Sequence, residues 1–147
     1  MPADYKVFIE LYGTGCIGMF IWIYNPFSRN RNLNLMERIR KTTDQYRKLK
    51  KESMEYCPYP IFPEPDGIIA VGQTDNGDTV FWLSDSKDPD CWKILINKTR
   101  SNKFELHDEN LTGFMAGLVK GVIKSDVVPR DFIDMTKPFL PVNQIRY

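Results

Sequence analysis

Residues 72–83, GQTDNGDTVFWL, narrow the possible folds more than any other part of the chain. Asn76-Gly77 stands between two runs of strand-forming residues, bracketed by Asp75 and Asp78. This dipeptide is the strongest short signal for a two-residue type I′ hairpin turn, because both central positions need positive φ, which Asn tolerates and Gly allows freely. The spacing predicts strands over residues 68–74 and 79–84 joined at that turn. On the far side, Val80, Phe81, Trp82 and Leu83 run apolar without alternation, the mark of a strand covered on both faces. A central strand is expected here.

The flanking sequence predicts what surrounds it. Tyr5, Phe8, Ile9 and Tyr12 recur at helical spacing between Pro2 and Gly13, giving a first helix over residues 2–12. Residues 16–24, rich in Ile and aromatics, predict one buried strand closed by Asn25-Pro26, with Gly18 as a bulge. Asn34, with Glu37 behind it, makes a capping-box-like start for a surface helix over residues 34–52. Its apolar stripe is thin: Leu35, Ile39, Thr42, Tyr46 and Leu49. Residues 57–67 hold four of the ten prolines and predict an extended connection docked through Tyr59, Ile61 and Phe62.

A strand over residues 91–97 puts Trp92, Ile94 and Ile96 on one face, and a short strand over residues 104–107 turns Phe104 and Leu106 inward. Asn110 caps a helix whose broad stripe, from Leu111 and Phe114 through Leu118 to Ile123, must face the sheet. Gly113, Gly117 and Gly121 within it predict close approach to a neighbouring backbone. Residues 125–147 read as an irregular tail, with a short helix from Pro129 to Met135 and no regular structure at Pro138 and Pro141.

At 147 residues, 42% hydrophobic and 27% charged, the chain is expected to build one domain around one core. The longest apolar run, residues 16–24, is too short to span a bilayer and carries no leader features, so the expectation is a cytoplasmic protein without membrane contact. Cys16, Cys57 and Cys91 are odd in number and far apart, and read as buried thiols. Net charge is only +1, but residues 29–51 carry nine Lys or Arg against Glu37 and Asp44, while residues 64–90 carry seven acids against Lys87 alone. Two oppositely charged surfaces are expected, either recognition features or merely solvated faces. The basic helix lacks interleaved aromatics and a Gly-rich loop, so no direct nucleic-acid contact is predicted.

Catalytic signals are absent from the residue pattern. The single histidine, His107, has no Ser or Cys motif beside it and reads as structural. Asp75, Asn76 and Asp78, like Asp85, Asp88 and Asp90, lack the spacing and terminal Glu of a calcium loop and are explained by turn chemistry. Gly13-Thr14-Gly15 precedes a strand rather than a helix, a poor phosphate cradle. No metal, no cofactor and no enzymatic activity are expected.

Tyr12-Gly13-Thr14-Gly15, the hydrophobic segment ending in Asn25-Pro26-Phe27, the Pro-rich approach to Gly72-Gln73-Thr74-Asp75-Asn76-Gly77-Asp78, then Phe81-Trp82, Pro89 and Trp92 follow one another in a characteristic order. From about residue 4 to residue 124 this order resembles the SUKH superfamily of immunity proteins. The resemblance implies an α+β fold, a mainly antiparallel curved sheet flanked by helices. It also implies a non-catalytic function: binding and neutralising a cognate secreted bacterial toxin, often a nuclease, encoded beside it. A binding module of the same fold in a regulatory or cell-wall pathway is the alternative. The family's toxin-contacting residues vary, so none carries over by motif.

A partner site is therefore sought in the charge pattern. A nuclease cleft is basic because it holds phosphate, and carboxylates can cover it. A strand leaving Gly67 antiparallel to residues 79–84 starts near Asp85. Glu64, Asp66, Asp85, Asp88 and Asp90 are accordingly predicted to form an anionic rim for a basic toxin, at the opposite end of the strand pair from Asp75 and Asp78.

Overall fold

Residues 1–145 are described by a computed structural model, in which strand-forming segments pair as β1 (Gly15–Ile17), β2 (Ile21–Ile23), β3 (Ile68–Thr74), β4 (Thr79–Leu83), β5 (Lys93–Asn97), β6 (Phe104–His107) and β7 (Phe139–Pro141). They form one open sheet in the order β6-β5-β4-β3-β2-β1-β7, antiparallel at every pairing. Three α-helices accompany it: α1 (Ala3–Tyr12), α2 (Leu35–Glu52) and α3 (Leu111–Val119). The fold is α+β.

The unbroken apolar run of β4 has the expected cause. Neighbouring residues on a strand point to opposite faces, and Trp82 meets the Tyr5 ring of α1 edge-on at 4.9 Å while Phe81 meets Tyr46 of α2 edge-on at 5.1 Å. Helices α1 and α3 therefore cover one face and α2 the other. Asp4 ties the first two together, its carboxylate accepting from the Thr112 backbone N–H (3.0 Å) and hydroxyl (3.2 Å) in the first turn of α3. Asn34 caps α2 by accepting from the N–H groups of Met36 and Glu37. The reciprocal half of a capping box does not form, because the Glu37 carboxylate pairs instead with Arg40 at 2.8 Å.

Several expectations are corrected. Residues 16–24 are not one strand but two, β1 and β2, folded back at Gly18 (φ 56°) and Met19 (φ 58°). The Phe20 N–H bonds the Ile17 carbonyl across this turn at 3.0 Å. Two positive φ values in succession make a tight hairpin turn, here without the polar residues that usually announce one. At the β3–β4 connection only Gly77 (φ 90°) is left-handed, and Asn76 is not. Gly77 N–H bonds the Thr74 carbonyl and Thr74 N–H bonds the Asp78 carbonyl, each at 3.0 Å. This is a turn followed by a left-handed bulge residue rather than the two-residue form.

Helix α3 stops at Val119, short of Ile123. Gly121 (φ 73°) takes the left-handed position after the end, with Gly121 N–H to the Leu118 carbonyl (3.1 Å) and Val122 N–H to the Gly117 carbonyl (2.9 Å), a Schellman closure. Of the three helix glycines, Gly121 thus serves conformation, and Gly117 makes room for the Ile123 side chain rather than for a backbone. On β6 the inward assignment is half reversed. The β5–β6 register sets Ile94 opposite His107 and Leu95 opposite Leu106, so His107 faces α3, against Phe114 (4.8 Å), while Leu106 is 49% exposed at the sheet edge.

The tail is also more ordered than its prolines suggest. Residues 130–132 make a single 3-10 turn in place of the predicted helix, and Phe139–Pro141 pairs with β1 as an edge strand, where proline costs no ladder bond. Ile133 is buried over Gly18, whose carbonyl accepts from the Asp134 N–H at 2.8 Å. The last two positions of the expected tail, 146 and 147, lie outside the described residues.

Candidate functional site

The two acidic segments meet through one carbonyl. Where β3 begins and β4 ends, Ile68 pairs with Leu83, and the Gly67 carbonyl accepts from both the N–H (3.1 Å) and the hydroxyl (2.6 Å) of Ser84. The Pro-rich connection reaches this point anchored by Ile61, which is 1% exposed and bridges to Ile68. A turn from Glu64 to Gly67 follows, closed by Gly67 N–H to the Glu64 carbonyl (3.1 Å), with Asp66 left-handed at φ 61°. A Cβ on Gly67 would lie 2.5 Å from the Phe62 nitrogen, so only glycine fits there. The result is a firm backbone frame that leaves Glu64 and Asp66 exposed on one side of the Gly67–Ser84 contact and Asp85 exposed on the other.

Asp88 and Asp90 lie farther along, on the 3-10 turn Pro89–Cys91, and both have work within the fold. Asp88 accepts from the Asp90 N–H at 3.0 Å and from the Cys91 thiol at 3.7 Å, while Asp90 accepts from the Ala3 N–H at 2.7 Å. The latter puts a carboxylate at the N-terminus of α1, where the helix dipole favours negative charge. The five acids therefore do not form one tight cluster: Glu64, Asp66 and Asp85 surround the Gly67–Ser84 contact, and Asp88 and Asp90 extend the line toward α1. Among the described residues, none of the five lies within 4.0 Å of a Lys or Arg nitrogen.

The acids of the opposite end are engaged internally. Asp78 is 3% exposed and accepts from the Thr74 hydroxyl (2.7 Å) and the Thr99 N–H (2.9 Å). Asp75 accepts from the Trp22 indole N–H at 2.9 Å. Turn chemistry accounts only for the Asp78–Thr74 bond; the donors from Trp22 and Thr99 are distant in the chain, a correction to the purely local reading.

His107 and the cysteines complete the inventory of reactive groups. The His107 ring, its side chain 10% exposed, contacts the Glu105 carboxylate at 2.6 Å. Burial pushes the Glu105 carboxyl up, but hydrogen bonds from the Ser125 hydroxyl, the His107 ring and the Asp126 N–H outweigh it, and the group ends below the ordinary glutamate value. By accepting from Ser125 and Asp126, the Glu105 carboxylate fastens the chain after α3 to β6. Cys16 and Cys57 are buried, and burial pushes their thiols up, away from nucleophilic thiolates. Cys91 is exposed, a correction to its expected burial that follows from its place on a surface turn. Among the described residues no three His, Cys, Asp or Glu side chains converge as metal ligands, and no helix is long and apolar enough to cross a membrane.

A second concave region was not anticipated from the sequence. Helix α2 crosses its face of the sheet from the β2–β3 side, where Arg38 donates to Gln73 (3.1 Å), to the β5 side, where the Tyr46 hydroxyl donates to Asn97. Between the helix and the β3–β4 and β5–β6 connections lies a groove of about 990 Å³. The residues 29–51 charge run marked the helix but not the groove, whose other wall comes from Gly77 and residues 99–102. Compared with known proteins, the chain matches no family model, no curated protein and no solved structure.

Proposed function

We propose that this chain is an immunity-type inhibitor: a non-catalytic binding protein that, in the cytoplasm of the producing cell, neutralises a cognate secreted toxin by covering a basic surface on it. The observation that carries this reading is the Gly67–Ser84 contact, which brings Glu64, Asp66 and Asp85 to one end of the sheet as exposed carboxylates without cationic partners in the described chain. Charges left unneutralised on a firm frame raise the local concentration of an oppositely charged partner and speed its approach. A nuclease fits best, because its phosphate-binding cleft supplies the opposite charge. The order of short motifs resembling the SUKH superfamily points the same way. Asp88 and Asp90, tied to the turn and to α1, would extend the field rather than dock freely.

The test pairs the purified chain with the product of the neighbouring toxin gene. Glu64→Gln, Asp66→Asn and Asp85→Asn combined should slow association about tenfold at low salt and flatten its dependence on ionic strength, with the melting temperature unchanged. Association kinetics and a salt slope equal to those of the parent chain would reject the rim as the docking surface. Failure of the two proteins to associate at all would reject the immunity reading.

A further inference from the structure

We propose that the groove between α2 and the hairpin tips is a second binding site, one that takes an extended, carboxylate-rich segment of another protein. It lies on a different surface from the acidic rim, carries the opposite charge and does not depend on the immunity reading. Arg38, Lys48 and Arg100 line it against Glu52 alone. A smaller basin of about 400 Å³ continues from it past Arg38, adding Arg31, Arg40 and Lys41 against Glu37 and Asp44. Among the described residues only Arg40 of these cations lies within 4.0 Å of a carboxylate. The surface carries a net positive charge, six cations against three carboxylates.

One of its cations is held in place by its surroundings. The Arg38 guanidinium lies over the Tyr24 ring at 5.3 Å and donates to Gln73, while its Nε is buried with no acceptor among the described residues. A planar guanidinium with donors to spare is suited to a carboxylate. Arg100 sits at φ 53° in the β5–β6 connection, which the Lys98 N–H closes on the Lys103 carbonyl at 3.0 Å. Left-handed backbone at a non-glycine residue costs energy and gathers at ligand-binding positions. Here the residue is an exposed cation that lines the groove.

The rest of the lining favours a peptide over a nucleic acid. The walls carry the side-chain amides of Gln45 and Asn102 and the hydroxyls of Thr79 and Thr99, neutral groups that match main-chain N–H and C=O. The floor residue Tyr46 is buried edge-on against Phe81, and burial pushes its phenol up to about 12, so it offers no open ring for a base and no negative charge. Single strands of nucleic acid need several exposed stacking rings along their track, and among the described lining residues Tyr56 alone, 46% exposed, presents one.

The probe is a fluorescein-labelled peptide of repeating Glu-Ala-Tyr, followed by anisotropy and by amide NMR of the parent chain. Saturable binding is expected, with the largest amide shifts at Gly77, Thr99, Arg100 and Ser101. Arg38→Gln with Arg100→Gln should weaken binding roughly tenfold or more. Since Arg38 also braces Tyr24, Lys48→Gln with Arg100→Gln, both exposed, keeps the test valid if the first pair unfolds. Arg29→Gln with Lys51→Gln removes the same charge from outside the groove and should leave affinity within about twofold, as should the triple rim variant. Equal weakening by Arg29→Gln with Lys51→Gln, shifts centred elsewhere, or no saturable binding would each overturn the proposal. Displacement of the peptide by oligo-dT at lower concentration than by unlabelled peptide would overturn it in favour of nucleic acid.

Discussion

The two ends of the β3–β4 ladder carry acids of the same kind and use them in opposite ways. At the Gly77 end, Asp75 and Asp78 are hydrogen-bonded into the fold, Asp78 almost out of contact with solvent. At the Gly67 end, Glu64, Asp66 and Asp85 stand exposed around a backbone contact that does not involve their carboxylates. The difference teaches that a run of negative charge in a sequence is not a negative surface. Whether a carboxylate faces a partner depends on whether a nearby hydroxyl or N–H has already claimed it.

The sharpest break of this contrast is substitution at the two ends. Asp78→Ala leaves the Thr99 N–H and the Thr74 hydroxyl without their acceptor in a buried place, and should cost about 3 kcal/mol in urea unfolding. Asp85→Ala, at an exposed carboxylate with no ion-pair partner among the described residues, should stay within about 0.5 kcal/mol. Similar losses at both sites would erase the distinction.

The turns at the two ends offer a second, smaller test. Gly77→Val forces a β-branched residue into φ 90°, which should cost about 2 kcal/mol and lower the melting temperature. Asp66, already left-handed at φ 61°, should accept Gly with no loss of stability. An unchanged melting temperature for Gly77→Val would count against the left-handed bulge.

Glu105 stands between the two extremes and gives the smallest effect, confined to acid. Its folded carboxyl titrates below the ordinary value of 4.5, so its contribution is complete above that pH and is lost as pH falls through the lower folded value. Glu105→Gln should flatten the decline of unfolding free energy below pH 4.5 and speed hydrogen exchange at Asp126, whose N–H bonds this carboxylate at 2.9 Å. A decline as steep as in the parent chain would assign the acid sensitivity elsewhere.

Much of the fold was legible in the residues. Helix α1, the Asn34 and Asn110 caps, the central strand pair and the docking of the Pro-rich connection through Ile61 all followed from local spacing, because caps, apolar stripes and prolines act within a few residues. The β1–β2 turn did not, since Gly18-Met19 lies inside an apolar run with no polar residue to mark it. Of the candidate rim, the meeting of residues 64–67 with Ser84 and Asp85 followed from antiparallel geometry. The engagement of Asp90 with the start of α1 could not, because its partner lies 87 residues away.

The sequence by itself determined which segments could be helix or strand and where charge would accumulate, for these depend on backbone preference and composition. Only the tertiary structure decided which side each residue faces and which charges remain unpaired. His107 faces α3 and Leu106 the opposite, α2 face because β6 pairs with β5 in one register, and a slip of a single residue would exchange them. Pro141 closes an edge strand because β1 offers a free edge there. The groove exists because α2 crosses the sheet beside two connections that are distant from it in the chain. Contacts of that kind are long-range, and no local spacing encodes them.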